Sequence, residues 1–290
     1  MELRDLEYFM AIAREESITG AANALNLSQP ALTRSLKLLE VELGKQLVIR
    51  GKRRATLTED GMLLRRRAAD LLQLADRTKE EIMWSDGDIS GDIYVCAGET
   101  RGLHYITKAA KRLMDRHPDI RFHISSGDTD DVVEELEKGL IDFGLMFDPI
   151  DATQYEYIPI PYVDNWGVIM RKDAPLAGKA SIRLEDLIGK PLIVPRNADV
   201  EHMSGQLFGV EAEKLRVVGT YSLIFNAGLM ATDGIGYVLG LDQILTLTGE
   251  TTLTFRPLEP AMTAHMNVVW RRYRTPSRAA AALLKELQDI

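Results

Sequence analysis

A pair of helices joined by a short polar turn is predicted by the stretch Ser17-Ile-Thr-Gly-Ala-Ala-Asn-Ala-Leu-Asn-Leu-Ser-Gln-Pro-Ala-Leu-Thr-Arg-Ser-Leu-Lys-Leu-Leu-Glu-Val-Glu-Leu-Gly44. Thr19 is expected to cap the first helix, and Asn26 suits a left-handed position at its end. Ser28 is expected to cap the second helix, with Pro30 in the first turn, where a missing N–H has no consequence. The pattern therefore predicts a helix-turn-helix.

The second helix is predicted to have one apolar face and one polar face. Its leucines recur at intervals of four, three and four residues from Leu32 to Leu43, which places them in one stripe. On the opposite face, Gln and Arg can bond base edges bidentately, Thr offers a methyl or a hydroxyl, and Lys suits phosphate. An ordinary amphipathic hairpin with a solvated polar face is the alternative. The residues predicted to contact DNA from this helix and its cap are Ser28, Gln29, Pro30, Thr33, Arg34 and Lys37.

The segment after the helix pair favours DNA binding. Leu47 to Thr58 contains two short strand-like runs around a basic turn, a pattern typical of a wing. Arg50, Arg53 and Arg54 in this wing are predicted to contact the DNA backbone. Residues 45–67 hold eight cations and two acids, in a chain whose net charge is −8. Such a local basic patch is expected of a compact DNA-binding domain.

These motifs resemble the N-terminal signature of the LysR-type transcriptional regulators. One departure is Val48, where the family usually has Phe. The resemblance implies a winged helix-turn-helix, with residues 29, 30, 33, 34 and 37 facing the major groove and residues 50 and 53 near phosphates or the minor groove. The residues that carry it are Ala21-Ala22, Leu25, Ser28-Gln29-Pro30-Ala31, Thr33-Arg34, Leu39-Glu40, Leu43-Gly44, Leu47, Arg50 and Leu57-Thr58-Glu59-Asp60-Gly61.

A long helix from about Glu59 to Trp84, capped by Thr58, is predicted to connect this domain to the rest of the chain. Its apolar residues alternate at four- and three-residue spacing, as in a coiled coil. Packing against its own chain is one interpretation, and pairing with a second subunit is the one we favour, because a dimer would place two DNA-binding helices on a two-fold symmetric operator. The predicted dimer contacts are Leu64, Ala68, Leu71, Ala75 and Ile82. A hinge is predicted at Asp86–Gly91.

Beyond the hinge, short strands alternate with helices, which predicts parallel α/β structure. The predicted elements include helices at about Leu103–Arg116, Thr129–Lys138, Arg183–Ile188 and Ile224–Thr232, and a strand at Trp166–Met170. The chain is expected to cross between two subdomains near 161–164 and 258–266. Phrases such as His117-Pro118-Asp119-Ile120 and Asp233-Gly-Ile-Gly-Tyr237 resemble the periplasmic-binding-protein-like (type 2) effector domain of the same family. The predicted fold class is therefore α+β and multi-domain. The predicted parts are a winged helix-turn-helix (1–58), a linker and dimerisation helix with hinge (59–88), and an effector-binding domain (89–290), whose subdomain I comprises 89–162 and 265–290 and subdomain II 163–264.

The effector is expected beyond the carboxyl ends of the strands, where helix N-termini point into a crevice. Amide-rich turns with Arg101 or Arg196 would suit a small organic acid. Glu99 and Asp128 complicate the prediction of an organic acid, since they could pair with Arg101 or favour an amino acid or a cationic effector. For any single residue, a helix cap or turn is the simpler role. The predicted effector-binding residues are Gly98, Glu99, Thr100, Arg101, Ser126, Thr129, Phe147, Arg196, Asn197 and Asn226.

Composition and missing motifs restrict the function. Apolar content of 46% and charged content of 27% are typical of a globular protein, and no stretch approaches a membrane span. The single cysteine, Cys96, is predicted to be a buried core thiol, and a chain that begins without an export signal predicts a cytoplasmic location. Residues 1–88 sum to −1 and residues 89–290 to −7, so the larger part should not bind nucleic acid.

We find no catalytic motif and no metal-type spacing of histidines, so we predict no enzyme activity, no metal and no cofactor. The predicted function is sequence-specific, effector-controlled transcriptional regulation. The predicted partners are double-stranded operator DNA, a small-molecule effector such as an organic acid or amino acid, further copies of the chain in a dimer or tetramer, and RNA polymerase. A bifunctional enzyme with a DNA-binding head, acting on the ligand of the α/β module, is the alternative. A purely architectural DNA binder would leave that module without a purpose.

Overall fold

The computed structural model describes residues 1–51, 54–83, 89–196, 212–245, 247 and 251–289. The chain divides into two compact units, Met1–Asp86 and Gly87–Ile290. Several predicted features lie outside the described residues. They are Arg53 of the wing, Trp84 at the end of the long helix, hinge residues 86–88, and Asn197 of the effector site.

The first unit is a helix-turn-helix followed by a two-stranded wing and a long helix. Asn26 (φ 53°) adopts the left-handed backbone predicted for the end of the first helix, and Gly44 (φ 64°) adopts it at the end of the second. Its elements are α1 (Leu3–Glu15), α2 (Ile18–Ala24), α3 (Gln29–Leu43), β1 (Val48–Arg50), β2 (Ala55–Leu57) and α4 (Glu59–Met83).

The prediction of Thr19 as the N-cap of α2 is wrong, because the cap lies two residues earlier. The helix starts at Ile18, so Ser17 is its N-cap, and the Ser17 hydroxyl accepts a hydrogen bond from the amide of Gly20 at 3.1 Å. Thr19 lies inside the first turn, where its hydroxyl cannot cap. The cap of α3 is confirmed, since the Ser28 hydroxyl accepts from the amide of Ala31 at 3.4 Å.

The apolar stripe of α3 packs into a core that also includes α1, α2 and the start of the wing. Leu32, Leu36 and Leu39 are at most 2% exposed, and the predicted close approach of α2 rests on buried Ala21 and Ala22. Leu43, the last member of the predicted stripe, is 39% exposed, because it lies in the final turn of the helix before Gly44.

The wing is attached to α3 by one carboxylate. Glu40 Oε1 accepts hydrogen bonds from the amides of Leu47 at 2.8 Å and Val48 at 3.2 Å. Val48, where the family usually has Phe, is 2% exposed and belongs to the same core. Gly61 lies so close to the wing that a Cβ there would be 2.2 Å from the Leu47 carbonyl oxygen. Helix α3, the wing and the start of α4 therefore pack together as one body.

Helix α4 begins as predicted, with the Thr58 hydroxyl accepting from the amide of Gly61 at 3.0 Å. The predicted coiled-coil seam is divided between two environments. Leu64 packs against the core of its own unit and Ala68 is fully buried there. Leu71 and Ile82 remain 42% and 68% exposed. The interpretation as packing against the same chain is thus correct for the first half of the seam, because α4 contacts α1.

The second unit contains one continuous nine-stranded sheet in the order β4-β3-β5-β11-β6-β9-β7-β8, with β10 paired to β6. Parallel pairs occur at β3 with β4 and β5, and at β7 with β8 and β9. The strands are β3 (Gly91–Ala97), β4 (Ile120–Ser126), β5 (Phe143–Phe147), β6 (Tyr155–Arg171), β7 (Pro191–Pro195), β8 (Arg216–Tyr221), β9 (Tyr237–Leu241), β10 (Leu253–Pro257) and β11 (Thr263–Arg271). The helices are α5 (Leu103–Arg116), α6 (Thr129–Lys138), α7 (Ile224–Thr232) and α8 (Arg278–Gln288).

Two lobes share this sheet. We call β3, β4, β5, α5, α6 and α8 the first lobe, and β7, β8, β9, β10 and α7 the second lobe. Strands β6 and β11 run antiparallel between them. The sequence predicted only Trp166–Met170 of β6, whereas the strand covers 17 residues, and it missed β10. The helix predicted at Arg183–Ile188 is a short 3-10 turn, Leu184–Leu187, and Gly91 of the predicted hinge starts β3.

Each lobe has its own buried core. Helices α5 and α8 cover one face of the first-lobe sheet, and α6 packs near Cys96 on the other. Cys96 is fully buried, as predicted, and burial raises the pKa of its thiol to about 11. The thiol is therefore protonated at neutral pH and is a core residue.

Candidate functional site

The exposed face of α3 holds the predicted DNA-binding side chains. Gln29, Pro30, Arg34 and Lys37 are exposed and Thr33 is half-buried. Gln29 Nε2 donates a hydrogen bond to Thr33 Oγ1 at 2.9 Å, which orients the amide along the helix surface. We call residues 29, 30, 33, 34 and 37 the recognition face.

The wing presents its cations beside the same unit's core. Arg54 is exposed, and its guanidinium forms an ion pair with Glu16 at 3.0 Å. The group that the sequence predicts to contact DNA therefore has a partner in its own chain. The Glu16 carbonyl also accepts from the amide of Ala55 at 2.7 Å, which brings the two residues together. An exposed pair of this kind contributes little to stability and exchanges readily for a phosphate partner. The backbone of Arg50 ends strand β1.

A cavity of about 400 Å³ lies between the two lobes of the second unit. Turns at the carboxyl ends of β3, β4 and β5 form one wall, and the ends of β7, β8 and β9 form the other, as expected for open α/β sheets. The lining residues of the first lobe are Gly98, Glu99, Gly127, Asp128, Thr129, Leu145, Phe147 and Asp148; those beyond it are Trp166, Pro195, Tyr221, Ser222, Ile224, Leu241, Ile244, Met262, Thr263, Ala264, His265 and Met266.

Four of the ten predicted effector residues line this cavity. They are Gly98, Glu99, Thr129 and Phe147. Ser126 and Asn226 are exposed and lie outside the lining, as do Thr100, Arg101 and Arg196. The sequence reasoning missed the floor of the cavity, formed by Trp166 and by residues 262–266. The signal available was the predicted crossing of the chain near 161–164 and 258–266, because crossing strands necessarily pass beneath a cleft between subdomains.

Three of the predicted residues outside the lining, Thr100, Arg101 and Arg196, form hydrogen bonds at the edge of the cleft instead. Thr100 Oγ1 donates a hydrogen bond to Asp164 Oδ2 at 2.6 Å, and Arg101 bonds Gln243. Arg196 Nε donates to Asp128 Oδ2 at 3.1 Å. These two arginines are therefore engaged by partners at the edge of the cleft.

Two carboxylates of the first lobe occupy helix N-termini at the cavity. Glu99 Oε2 accepts a hydrogen bond from the amide of Ile224, the first residue of α7 in the second lobe. Asp128 Oδ1 accepts from the amides of Asp130 at 3.1 Å and Asp131 at 3.2 Å, so this carboxylate caps the N-terminus of α6. Although burial opposes ionisation of Asp128, hydrogen bonds from Arg196 and from these amides hold its pKa below the ordinary value.

A pair of acids lies where β6 meets the second lobe. Asp164 is 2% exposed, and its Oδ1 has no hydrogen-bond partner in the described part of the chain. Burial raises the pKa of Asp164, although the hydrogen bond from Thr100 opposes the rise. At Asp242, burial also opposes ionisation, but hydrogen bonds from Asn165 and Gln243 hold the pKa below its ordinary value. The pKa values of the two carboxylates thus shift in opposite directions, because hydrogen bonds outweigh burial only at Asp242.

The described residues contain no group of three or more His, Cys, Asp or Glu side chains placed to hold a metal ion. Across those same parts of the chain, no helix has the length and apolarity needed to span a bilayer.

Two family models match the chain. A bacterial regulatory helix-turn-helix model of the lysR family matches residues 3–62, and a LysR substrate binding domain model matches residues 86–290. The first covers the recognition face and the wing, and the second covers both lobes and the cavity.

Similar proteins are transcriptional regulators. The chain is 31% identical to the SDS degradation transcriptional activation protein of Pseudomonas sp. (strain ATCC 19151), over 97% of this chain and 94% of that protein. It is 25% identical to the hydrogen peroxide-inducible genes activator of Pectobacterium carotovorum, over 67% of this chain and 64% of that protein. The crystal structure of CbnR, a LysR family transcriptional regulator, shares the fold with a TM-score of 0.76 at 19% identity, covering 100% of this chain and 99% of CbnR. CbnR has also been crystallised with its target DNA.

Proposed function

This chain belongs to the LysR family of DNA-binding transcriptional regulators, and on that premise we propose which of its residues bind the operator, the effector and a second subunit. Residues 1–58 bind DNA, residues 59–88 mediate dimerisation, and residues 89–290 bind the effector. The division at residue 88 follows the boundary between the two compact units within two residues.

We propose that the recognition face enters the major groove of the operator. The observation that carries this proposal is that α3 buries Leu32, Leu36 and Leu39 while its residues Gln29, Arg34 and Lys37 are all exposed. Gln29 and Arg34 contact base edges, Lys37 contacts phosphate, and Ser28 lies at the amino end of the helix beside them. Arg50, Arg53 and Arg54 bind the backbone from the wing.

We propose that the cavity between the lobes binds the effector and that the chain has no catalytic activity. In support, the cavity lies in the region matched by the substrate binding domain model. Its size falls within the range of about 300–1,000 Å³ found for small-molecule sites. Regulators of this family act in the cell interior on DNA, so we propose a cytoplasmic location. Contact with RNA polymerase stays a prediction.

Selection of binding sites from random double-stranded DNA by the full chain tests the operator proposal. We expect enrichment of a two-fold symmetric sequence with half-sites about one helical turn apart or a multiple of it. Footprinting on the enriched sequence should protect both half-sites. Uniform binding to all sequences, with no enrichment after repeated selection, would contradict the proposal.

We propose that the exposed half of α4 pairs with the same helix of a second subunit. Leu71 and Ile82 are exposed, as are Met62 and Leu63 earlier on the helix. Leu71→Asp should therefore convert the chain to a monomer in analytical ultracentrifugation and weaken operator binding. Gln73→Asp, at another exposed position of α4, is the control and should leave the association state unchanged. A dimer that persists in Leu71→Asp would exclude this part of α4 from the interface.

A further inference from the structure

The polar side chains that line the cavity are acids, hydroxyl groups, one indole and one histidine, His265. Glu99, Asp128 and Asp148 bring carboxylates to it, and hydroxyls come from Thr129, Ser222 and Thr263 among others. No Lys or Arg belongs to the described lining. Residues 197–211, which lie outside the described residues, contain no Lys or Arg in the sequence either. An anionic ligand would therefore meet like charge in this cavity.

At two helix N-termini beside the cavity, the backbone amides already bind a carboxylate of the chain itself. The N-terminus of a helix is a ready site for a carboxylate or phosphate, because its amides are free and its dipole is positive there. At α7 this position is taken by Glu99, and at α6 it is taken by Asp128. Each carboxylate therefore places at the helix N-terminus the negative charge that an anionic effector would otherwise bring there.

The nearest arginines are engaged at the edge of the cleft. Arg196 is hydrogen-bonded to Asp128 and lies 3.5 Å from Asp131, so it neutralises acids of the first lobe. Arg101 bonds Gln243. Asp148, in contrast, forms no ion pair in the described part of the chain, and its Oδ1 accepts a hydrogen bond of 2.8 Å from the neutral side chain of Asn267.

The rest of the cavity wall suits the organic part of a cation. Phe147, Trp166 and Tyr221 contribute aromatic rings to the lining, and the faces of such rings attract ammonium groups. Leu145, Leu241, Ile244, Met262 and Met266 supply apolar surface around them. A carboxylate and aromatic rings together bind an amine by charge and by cation–π contact.

We propose that the effector is a small organic cation, with an ammonium-type group held by Asp148 and the aromatic lining, and an apolar body in the remainder of the cavity. This proposal rests on the assignment of the cavity as the effector site. It replaces the organic acid expected from the turns of the sequence, because the acids at those turns, and not the arginines, line the cavity.

A series of compounds with the same apolar body tests the charge preference. The full chain is heated with 2-phenylethylamine, with 2-phenylethanol, or with 3-phenylpropionate, and Tm is measured against concentration at constant ionic strength. We expect the amine to raise Tm in a concentration-dependent way, since a ligand that binds the folded state stabilises it. The carboxylate should give no shift. Stabilisation by 3-phenylpropionate, or no shift with any of the three compounds, would overturn the proposal.

A charge-neutralising variant tests the position of the cation. Asp148→Asn should weaken binding of 2-phenylethylamine about tenfold, as expected for the loss of one charged hydrogen bond. Glu137→Gln, which removes an exposed carboxylate of α6 outside the cavity, is the matched control and should bind the amine like the natural chain. Undiminished binding by Asp148→Asn would overturn the assignment of Asp148. Should that variant fail to fold, Phe147→Leu removes an aromatic face without changing charge and is expected to weaken amine binding, which unchanged affinity would contradict.

Operator selection distinguishes a failure of the proposed effector class from a failure of the proposed DNA-binding function. A chain that enriches an operator but binds no amine refutes the cationic class and leaves the regulator assignment intact. A chain that binds the amine in the cavity but enriches no operator supports the ligand class and contradicts the proposed recognition face.

Discussion

The recognition face and the cavity use charged side chains in opposite ways. On α3, Arg34 and Lys37 are exposed and form no ion pair or hydrogen bond in the described part of the chain, so they are available to a partner. In the second unit, Arg101 and Arg196 bond residues of the same chain, and acids line the cavity. A cation in a sequence is therefore a guide to a binding site only where the fold leaves it without an internal partner.

The largest expected effect comes from disturbing the contact between the wing and α4, which pack beside the recognition face. Gly61→Ala places a Cβ 2.2 Å from the Leu47 carbonyl oxygen, so the wing and α4 must separate. We expect a loss of about 2–3 kcal/mol in the free energy of unfolding of the first unit, measured by denaturant titration. Gly178→Ala, in the second unit, has nothing within 4 Å of the new Cβ and should be neutral. Equal stability of the two variants would show that this contact relaxes without cost.

The next effect tests the division of labour within the recognition face. Arg34→Ala should weaken operator binding by about 1–3 kcal/mol and relax base preference at one position of each half-site. Lys37→Ala should weaken binding to all sequences alike and reduce the salt dependence by about one phosphate contact. Affinities for the operator and for random DNA at several salt concentrations provide the measurement. An equal loss on both DNAs for Arg34→Ala would make Arg34 a phosphate contact.

A smaller effect tests the connection between α3 and the wing. Glu40→Ala leaves the amides of Leu47 and Val48 without their carboxylate acceptor. We expect a loss of about 1–2 kcal/mol in the free energy of unfolding and a weaker operator complex. Glu40→Gln keeps an acceptor oxygen and should recover most of both quantities. If Ala and Gln behave alike, the hydrogen bonds to the wing are not what stabilises it.

The smallest effect concerns the buried acid between the lobes. Because burial raises the pKa of Asp164 above 3.8, the folded state holds this proton more tightly than the unfolded chain. The free energy of unfolding therefore falls as pH rises from about 3.8 to the raised pKa, and the penalty is complete above it. Asp164→Asn removes the penalty, so its stability relative to the natural chain should increase with pH over this window in denaturant titrations.

Asp151 serves as the control, because its pKa is shifted in the opposite direction to that of Asp164. Hydrogen bonds from Thr153 and Gln154 lower the pKa of Asp151, so its contribution to stability is present above pH 3.8 and is lost as pH falls through the lowered pKa. The stability of Asp151→Asn relative to the natural chain should therefore decrease with rising pH. A flat difference for Asp164→Asn would show that this carboxyl is not buried as the structure places it.

The features predicted well from sequence depend on neighbouring residues. Ser28, Asn26, Gly44 and Thr58 act within one turn of their own position, so caps and helix ends follow from the local sequence. Helices α5, α6 and α7 have the bounds that their periodicity and flanking residues predict. The error at Thr19 was local as well, because Ser17 and Thr19 both offer a hydroxyl and only the backbone decides between them.

The features that were missed depend on contacts between distant residues. Arg196 bonds an acid 68 positions away and Arg101 bonds a residue 142 positions away, and no spacing in the sequence shows these pairs. Strand β6 contains Pro159 and Pro161, which have no amide proton to donate to a neighbouring strand, so its first half does not have the sequence of a central strand. It is a strand because β11 pairs with it, and that partner lies about 100 residues later.

The two crossing strands also determine how the cavity can change its width. The lobes are joined by a paired ribbon of β6 and β11, whose register shifts between His265 and Asn267, where a single residue, Met266, faces three residues of β6. Bulges of this kind let a ribbon bend and twist locally. His265 and Met266 also line the cavity, so a bound molecule touches the segment that must flex when the lobes move. A molecule in the cavity would therefore contact the irregular part of the ribbon that joins the two lobes.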